Sequence, residues 1–186
     1  MTPAEVLASG GVLAIPTESS YGLGVDPRSA EGVEAIYRMK GRERGKALPV
    51  VAGDVAQLLA IGVEPDSLAL AWGAARWPRA LTVVLPLVAP IAASAGERTI
   101  AARVPDHAGL RALLLELGTP LTATSANASG EPPLLDPAAV QHWLAGAHES
   151  FLIVDGGALP GGLPSTLVEI SNGNVTILRK GRDAAD

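Results

Sequence analysis

The sequence predicts an α/β fold, a single domain in which one twisted sheet of mixed parallel and antiparallel strands is flanked by helices. Short buried-strand patterns alternate with amphipathic helical patterns through the first half of the chain, as at residues 12–15 and 29–41. The chain ends in hairpin-like β-structure. There, residues 166–170 and 175–179 are joined by Ser171-Asn172-Gly173-Asn174, and Asn-Gly favours a tight hairpin, so at least one strand pair is antiparallel. A chain of 186 residues, 48% hydrophobic and 18% charged, fits one compact domain that buries roughly two thirds of the surface of its unfolded form. The domain is expected to span 1–186, with any disorder confined to the tail after about 181.

Each element has a local cause. Thr2-Pro3-Ala4-Glu5 is a capping box with proline at the first helical position, and Gly10-Gly11 ends the short helix it opens. The strand at 12–15 stops at Pro16, and the polar, glycine-bearing stretch 17–24 is expected to be a loop. Ser29 caps a helix whose apolar face carries Val33, Ile36 and Tyr37. A second buried strand is expected at 48–52, then a helix capped by Asp54, then one opened by Asp66 or Ser67 that reaches Trp77 and stops at Pro78. Residues 81–85 and 99–104 are β-rich. A helix over 110–117 closes at Gly118, a short strand covers 121–124, Asp136-Pro137 opens the last helix, and a strand covers 151–154. The segment 126–137 is rich in small residues and proline, which at this length is a loop rather than a domain boundary.

Composition removes several classes of function. Without cysteine there is no disulfide, thiolate metal site or cysteine nucleophile. No run approaches the roughly 18 apolar residues of a membrane span, and the first helix lacks a basic n-region, so the chain is read as cytoplasmic with no membrane partner. A net charge of −5 argues against a surface that wraps nucleic acid. Yet five of the 14 Lys and Arg residues, Arg38, Lys40, Arg42, Arg44 and Lys46, crowd into nine positions opposed only by Glu43. Helix-end cations that offset the macrodipole account for Arg38 and Lys40. They do not account for Arg42, Arg44 and Lys46, which lie beyond the helix and point to an anion site.

Other candidates are less specific. The loop 122–130, Thr-Ala-Thr-Ser-Ala-Asn-Ala-Ser-Gly, packs hydroxyls and an amide where a ligand can approach the backbone, but by composition alone it is an ordinary turn. The stretch 17–24 lacks both phosphate-loop and dinucleotide fingerprints. Its Glu18 could bind a metal, accept a proton or be solvated, and solvation is the simplest of these. Arg103 ends an apolar strand, so it needs an acidic partner inside the fold or clamps a ligand carboxylate. His107, His142 and His148 show no ligand spacing, and no fixed metal site is expected. Trp72, Trp77 and Trp143 are expected to pack the core. Ser165 and Arg179 lie late enough to reach a shared cleft, but carry little signal alone.

Taken together, the stretches PTESSYGLG (16–24), KGRERGKALPVV (40–51), WPRALTVVL (77–85), ARVPDH (102–107), PLTATSANASG (120–130), PSTLVEI (164–170) and LRKG (178–181) resemble the YrdC-like family in its short form. They run nearly end to end, and the KxR and SxN pieces in this order are far more specific than either alone. The resemblance implies a basic concave cleft in which threonine, bicarbonate or CO2, and ATP give threonylcarbamoyl-AMP and pyrophosphate. ATP enters as substrate, with Mg2+ accompanying it. It implies Lys40, Arg42, Ser125 and Asn127 as catalytic residues, Arg42, Lys46, Thr99, Ser125 and Arg179 as ATP contacts, and Ser19, Arg103 and Ser165 as threonine contacts. The implied partner is the machinery that transfers the threonylcarbamoyl group to tRNA, with weak tRNA contact conceivable.

The chain also departs from the family pattern. Glu43 stands where proline is usual, Val51 replaces a histidine of many longer members, Pro133 occupies a position often hydroxylated, and Arg79-Ala80 replaces a Gly-Pro turn. Two rival readings stay open at this point: a paralogue forming a different acyl-adenylate, and a non-catalytic RNA-binding module.

Overall fold

A computed structural model describes residues 1–185, and its elements follow the chain's local signals closely. Helix α1 (Pro3–Ala8) carries the Thr2/Glu5 capping box. Strand β1 (Val12–Pro16) is buried throughout. It is followed by β2 (Tyr21–Gly24), so half of the expected loop 17–24 is a strand. The glycines there are tolerated because β2 lies between two strands, antiparallel to both β1 and a later one, and its pairing rather than its propensity decides. Helix α2 (Ala30–Lys40) is capped by Ser29 and ended by Gly41, whose φ of 58° is left-handed.

Strand β3 (Val50–Val51) and helix α3 (Val55–Ala60), capped by Asp54, come next. Helix α4 (Leu68–Ala74) is capped by Ser67 and stops before the expected Trp77. The chain curls back there because Arg76 and Trp77 both donate their backbone N–H to Gly73, and the Arg76 guanidinium stacks 3.9 Å above the Trp72 ring. Strands β4 (Leu81–Pro86) and β5 (Thr99–Arg103) lead to α5 (Ala108–Leu117), whose N-cap is His107, its Nδ1 accepting from Leu110 N–H. His107 is therefore a structural histidine. Strands β6 (Leu121–Thr122) and β7 (Thr124–Ser125), helix α6 (Pro137–Leu144) and strands β8 (Phe151–Ile153), β9 (Thr166–Ser171) and β10 (Asn174–Arg179) complete the fold. Asn172 and Gly173, at φ 50° and 78°, make the tight β9–β10 turn.

The strands form two mixed sheets rather than one, in the orders β7-β2-β1-β8 and β10-β9-β4-β5-β3-β6. The break falls at Ala123. The expected strand 121–124 switches sheets there, β6 pairing with β3 and β7 with β2. Thr122, fully buried, stitches the corner: its Oγ1 donates to Leu23 O at 3.0 Å and accepts from Val25 N at 3.1 Å.

Period-two alternation places the core. Val12 and Ala14 of β1 face the main cluster, while Leu13 and Ile15 face a second one with Val6, Val51, Leu110, Leu114 and Leu121. A strand buried on both faces carries no polar position, which is why 12–15 is uniformly apolar. The three tryptophans lie partly buried against the main cluster. After β10, Gly181 passes so close to the segment that enters β9 that a Cβ there would lie 2.3 Å from Pro164 O. Beyond it, Asp183 accepts from Ala80 N at 3.0 Å. Among the described residues no helix is long and apolar enough to cross a membrane.

Candidate anion-binding cleft

The two sheets and their connecting loops enclose a cavity of about 730 Å3, a size that suits a small-molecule ligand. One wall is laced around Tyr21. Its N–H donates to Leu134 O at 3.0 Å, its O accepts from Ala126 N at 2.8 Å, and its hydroxyl donates to Gly157 O at 3.0 Å and accepts from Gly156 N at 2.9 Å. Gly161 N donates to Ser19 O at 2.9 Å, closing the loops 17–20, 126–135 and 155–165 into one rim. Ala47, Pro49, Ala101, Ala123 and Leu167 form an apolar floor.

Lys40 fixes the polar end. It is the last residue of α2, only 5% exposed, and its ammonium donates to Asn127 O and Asn127 Oδ1, each at 2.9 Å, and to Ser125 O. Three acceptors take all three of its N–H groups, so Lys40 shapes the cleft through the 125–127 loop and contributes its charge from behind it. Asn127 Oδ1 also accepts from Ser125 Oγ at 2.6 Å, and Asn127 Nδ2 donates to Glu131 O. With α2 tied there, Arg42 two residues on reaches Thr124 Oγ1 at 3.5 Å and lines the cavity, while Lys46, held by Tyr37 Oη donating to its carbonyl at 2.7 Å, faces a smaller adjoining recess of about 220 Å3. Lys40, Arg42, Ser125 and Asn127 also line that recess. Burial, with the charge of Arg42 adding to it, lowers the Lys40 pKa to about 8.

The remaining cations divide. Arg38 pairs with Glu149 at 2.7 Å and Arg44 with Glu34, so neither serves the cleft, and the expectation that Arg44 belongs to an anion site is corrected. Acidic neighbours on and near α2 capture them. Arg103 and Arg179 line the larger cavity but not the recess that holds Lys40 and Lys46. Arg179 is turned toward the cavity by a bulge in β10 between Ile177 and Arg179, and its guanidinium donates to Ser165 O at 2.9 and 3.3 Å. Burial and the neighbouring charge of Arg103 lower its pKa.

Arg103 makes a two-pronged pair with Glu18, Nε to Oε1 at 3.2 Å and Nη2 to Oε2 at 2.9 Å, the two side chains 9% and 7% exposed. Glu18 is thus a buried counter-ion, and solvation, its simplest reading from sequence, is overturned. Burial raises the Glu18 pKa, but the charge and hydrogen bonds of Arg103 outweigh it and the net shift is downward. The internal acidic partner of Arg103 is thus Glu18, and the paired guanidinium still lines the cavity.

Ser19, Arg103, Ser125, Ser165, Arg179 and Arg42 therefore share one cavity, with Lys40, Lys46 and Asn127 in the adjoining recess. Thr99 does not: it is the exposed first residue of β5, opposite Pro86 at the far end from Arg103, and it lines neither space. Thr82 is the residue that sequence reading missed, a hydroxyl inside the apolar run of β4. Among the described residues no three His, Asp or Glu side chains cluster as a metal-ligand set.

The fold is a two-sheet α/β architecture whose main cavity is lined by Arg42, Arg103 and Arg179 together with several hydroxyls. Residues 5–181 match the model of the Sua5/YciO/YrdC family, described as telomere recombination, and the chain belongs to that family. It is 37% identical over 182 residues to the threonylcarbamoyl-AMP synthase of Bacillus subtilis (strain 168), covering 96% of this chain and 52% of that protein. It is 38% identical over 176 residues to the threonylcarbamoyl-AMP synthase of Thiobacillus denitrificans, covering 91% of this chain and 89% of that protein. The crystal structure of P. abyssi Sua5 complexed with L-threonine matches with a TM-score of 0.82 and 32% identity, over 96% of this chain and 52% of that one. The chain thus spans about half the length of the Bacillus and P. abyssi relatives.

Removing the Glu18 charge leaves Arg103 buried and unpaired. Glu18→Gln is expected to cost about 3 kcal/mol of folding stability, measured by urea unfolding at pH 7. Because the folded-state pKa of Glu18 is depressed, the pair's contribution is present above the ordinary carboxylate range and is lost as pH falls through its lowered value. The variant's deficit should accordingly shrink in acid.

Proposed function

We propose that this chain catalyses formation of threonylcarbamoyl-AMP and pyrophosphate from L-threonine, bicarbonate or CO2, and ATP, in the cytoplasm, for transfer of the threonylcarbamoyl group to tRNA by a partner enzyme. The single observation that carries the reading is the convergence of Arg42, Arg103 and Arg179 with Ser125 and Ser165 on one cavity. The names of the two threonylcarbamoyl-AMP synthases and the threonine-bound P. abyssi relative support it.

The chemistry sets the requirement. Threonine's carboxylate, a carbamate and a triphosphate repel one another, so bringing them together needs cations already in place. In the proposed arrangement the triphosphate lies at the end formed by Arg42, Lys46 and the 124–127 corner, with the Lys40 charge behind it. The amino-acid carboxylate lies toward Arg103 and Ser165. Threonine's amino group adds to CO2, or to bicarbonate with loss of water, giving a carbamate. A carbamate oxygen then attacks the α-phosphorus and pyrophosphate departs toward Arg42 and Lys46. The rim of Pro133, Leu135 and Pro164 limits water around the labile carbamate. Mg2+ enters with the triphosphate and offsets its charge; the cavity's own donors are cations and hydroxyls.

The deciding assay is pyrophosphate release from ATP. It is expected only when threonine and bicarbonate are both present, and release that ignores threonine, or its absence alongside tight tRNA binding, contradicts the proposal. Arg42→Ala is expected to lower turnover about 100-fold or more at an unchanged thermal midpoint, and a wild-type rate would reduce the basic cluster to helix-end decoration.

Lys40 supplies a pH signature. With a pKa of about 8 it is largely neutral at pH 8.5 in the free protein, and a polyanion in the adjoining recess raises that value. ATP binding at pH 8.5 should therefore take up about half a proton. Calorimetry in two buffers of different ionisation enthalpy measures it, and binding without proton uptake contradicts the predicted coupling between the triphosphate and Lys40.

A further inference from the structure

Thr82 is the one polar side chain of β4, only 2% exposed, and it lines the cavity beside its cross-strand partner Leu167 of the apolar floor. Its hydroxyl lies 2.7 Å from Ser165 Oγ, an arrangement in which either atom could donate. The surroundings choose between them. Ser165 Oγ is the hydrogen-bond partner of Thr82 Oγ1 among the described residues, and at 2% exposure donation to Ser165 is the arrangement that keeps the Thr82 proton paired within the protein. Ser165 Oγ also accepts from Arg179 Nη2 at 3.3 Å. With one bond from Thr82 and one from Arg179, both lone pairs of Ser165 Oγ are filled. The hydroxyl proton of Ser165 then has one direction left, outward into the cavity.

We propose that Thr82 is a positioning residue that makes Ser165 a fixed hydrogen-bond donor to a carboxylate oxygen of the amino-acid substrate; this rests on the function proposed above. Arg179, which the family resemblance implies as an ATP contact, braces Ser165 and is not itself assigned to the amino acid. Arg179 holds Ser165 through its carbonyl and its hydroxyl, and the bulge in β10 keeps the guanidinium in reach. A serine locked as donor favours an acceptor oxygen and rejects an ammonium at the same place, so the amino acid is oriented with its carboxylate, not its amine, toward β9. Removing the Thr82 hydroxyl frees Ser165 to turn its proton toward the vacated side. The loss falls on amino-acid binding, while ATP, held at the Arg42 end, is untouched.

The test compares Thr82→Val, which preserves shape without the hydroxyl, Thr82→Ala, also hydroxyl-free, and Thr82→Ser, which restores it, each alone and in a Ser165→Ala background. Steady-state pyrophosphate release is measured against threonine and against ATP, and thermal midpoints are recorded. The expected result is a KM for threonine raised about tenfold in Thr82→Val and Thr82→Ala, an unchanged KM for ATP, near-normal values in Thr82→Ser, and no further loss from Thr82→Val once Ser165 is alanine. A normal KM for threonine in both hydroxyl-free variants overturns the positioning role, as does equal loss in Thr82→Ser or full additivity with Ser165→Ala. A wild-type chain that releases no pyrophosphate counts against the proposed reaction and removes this inference with it, which keeps the two failures apart.

Discussion

One buried ammonium organises the polar half of this molecule. Lys40 sits where α2 ends, and its three bonds to Ser125 and Asn127 tie a helix terminus to a corner where the chain changes sheets. Without that tie nothing in the 40–47 stretch would be fixed against the 124–127 corner, and Arg42 and Lys46 would be ordinary surface cations. The interaction is demanding, because an ammonium with an unmet N–H in this environment is costly. Asn127 meets the demand with both a backbone and a side-chain oxygen, and its Oδ1 is itself pinned by Ser125.

The opposite wall solves the same electrostatic problem in another way. Arg103 and Arg179 are close enough that the charge of one depresses the pKa of the other, so two guanidiniums facing an empty cavity would repel. Glu18 neutralises Arg103 from behind and leaves its remaining N–H groups free to face the cavity. Arg179 is held instead by backbone, through Ser165 O. The cleft is therefore polarised, with uncompensated charge at the Arg42 end and tempered charge at the Arg103 end. That asymmetry suits one highly charged ligand beside one singly charged ligand.

How much of this was legible depends on whether a feature is local. The caps at Thr2, Ser29, Asp54, Ser67 and Asp136 were readable because a capping side chain bonds within its own turn. The Asn172-Gly173 turn was readable for the same reason. Strand β2 was not, since Gly22 and Gly24 have no strand preference and are held by β1 and β7 from distant parts of the chain. The sheet break at Ala123 was equally hidden, being decided by where Thr122 finds Leu23 and Val25. At the site, Arg42, Ser125 and Asn127 followed from the motifs that carry the family resemblance. Glu18 was misread because its partner lies 85 residues away and Arg44 because Glu34 captures it, while Thr99 shares the β5 face of Ala101 and Arg103 but lies at the far end of the strand, outside the cavity lining. Thr82 left no trace, as a lone hydroxyl in an apolar strand looks like any β-branched residue.

The central claim is spatial: two mutually repelling ligands occupy this one cleft together, the triphosphate at the Arg42 end and the amino-acid carboxylate at the Arg103 end. A crystal structure with a non-hydrolysable ATP analogue and L-threonine tests it directly. The account predicts phosphate oxygens within hydrogen-bonding distance of Arg42 and Ser125, and the threonine carboxylate between Arg103 and Ser165. A nucleotide bound outside this cavity, with Arg42 contacting neither ligand, would contradict it.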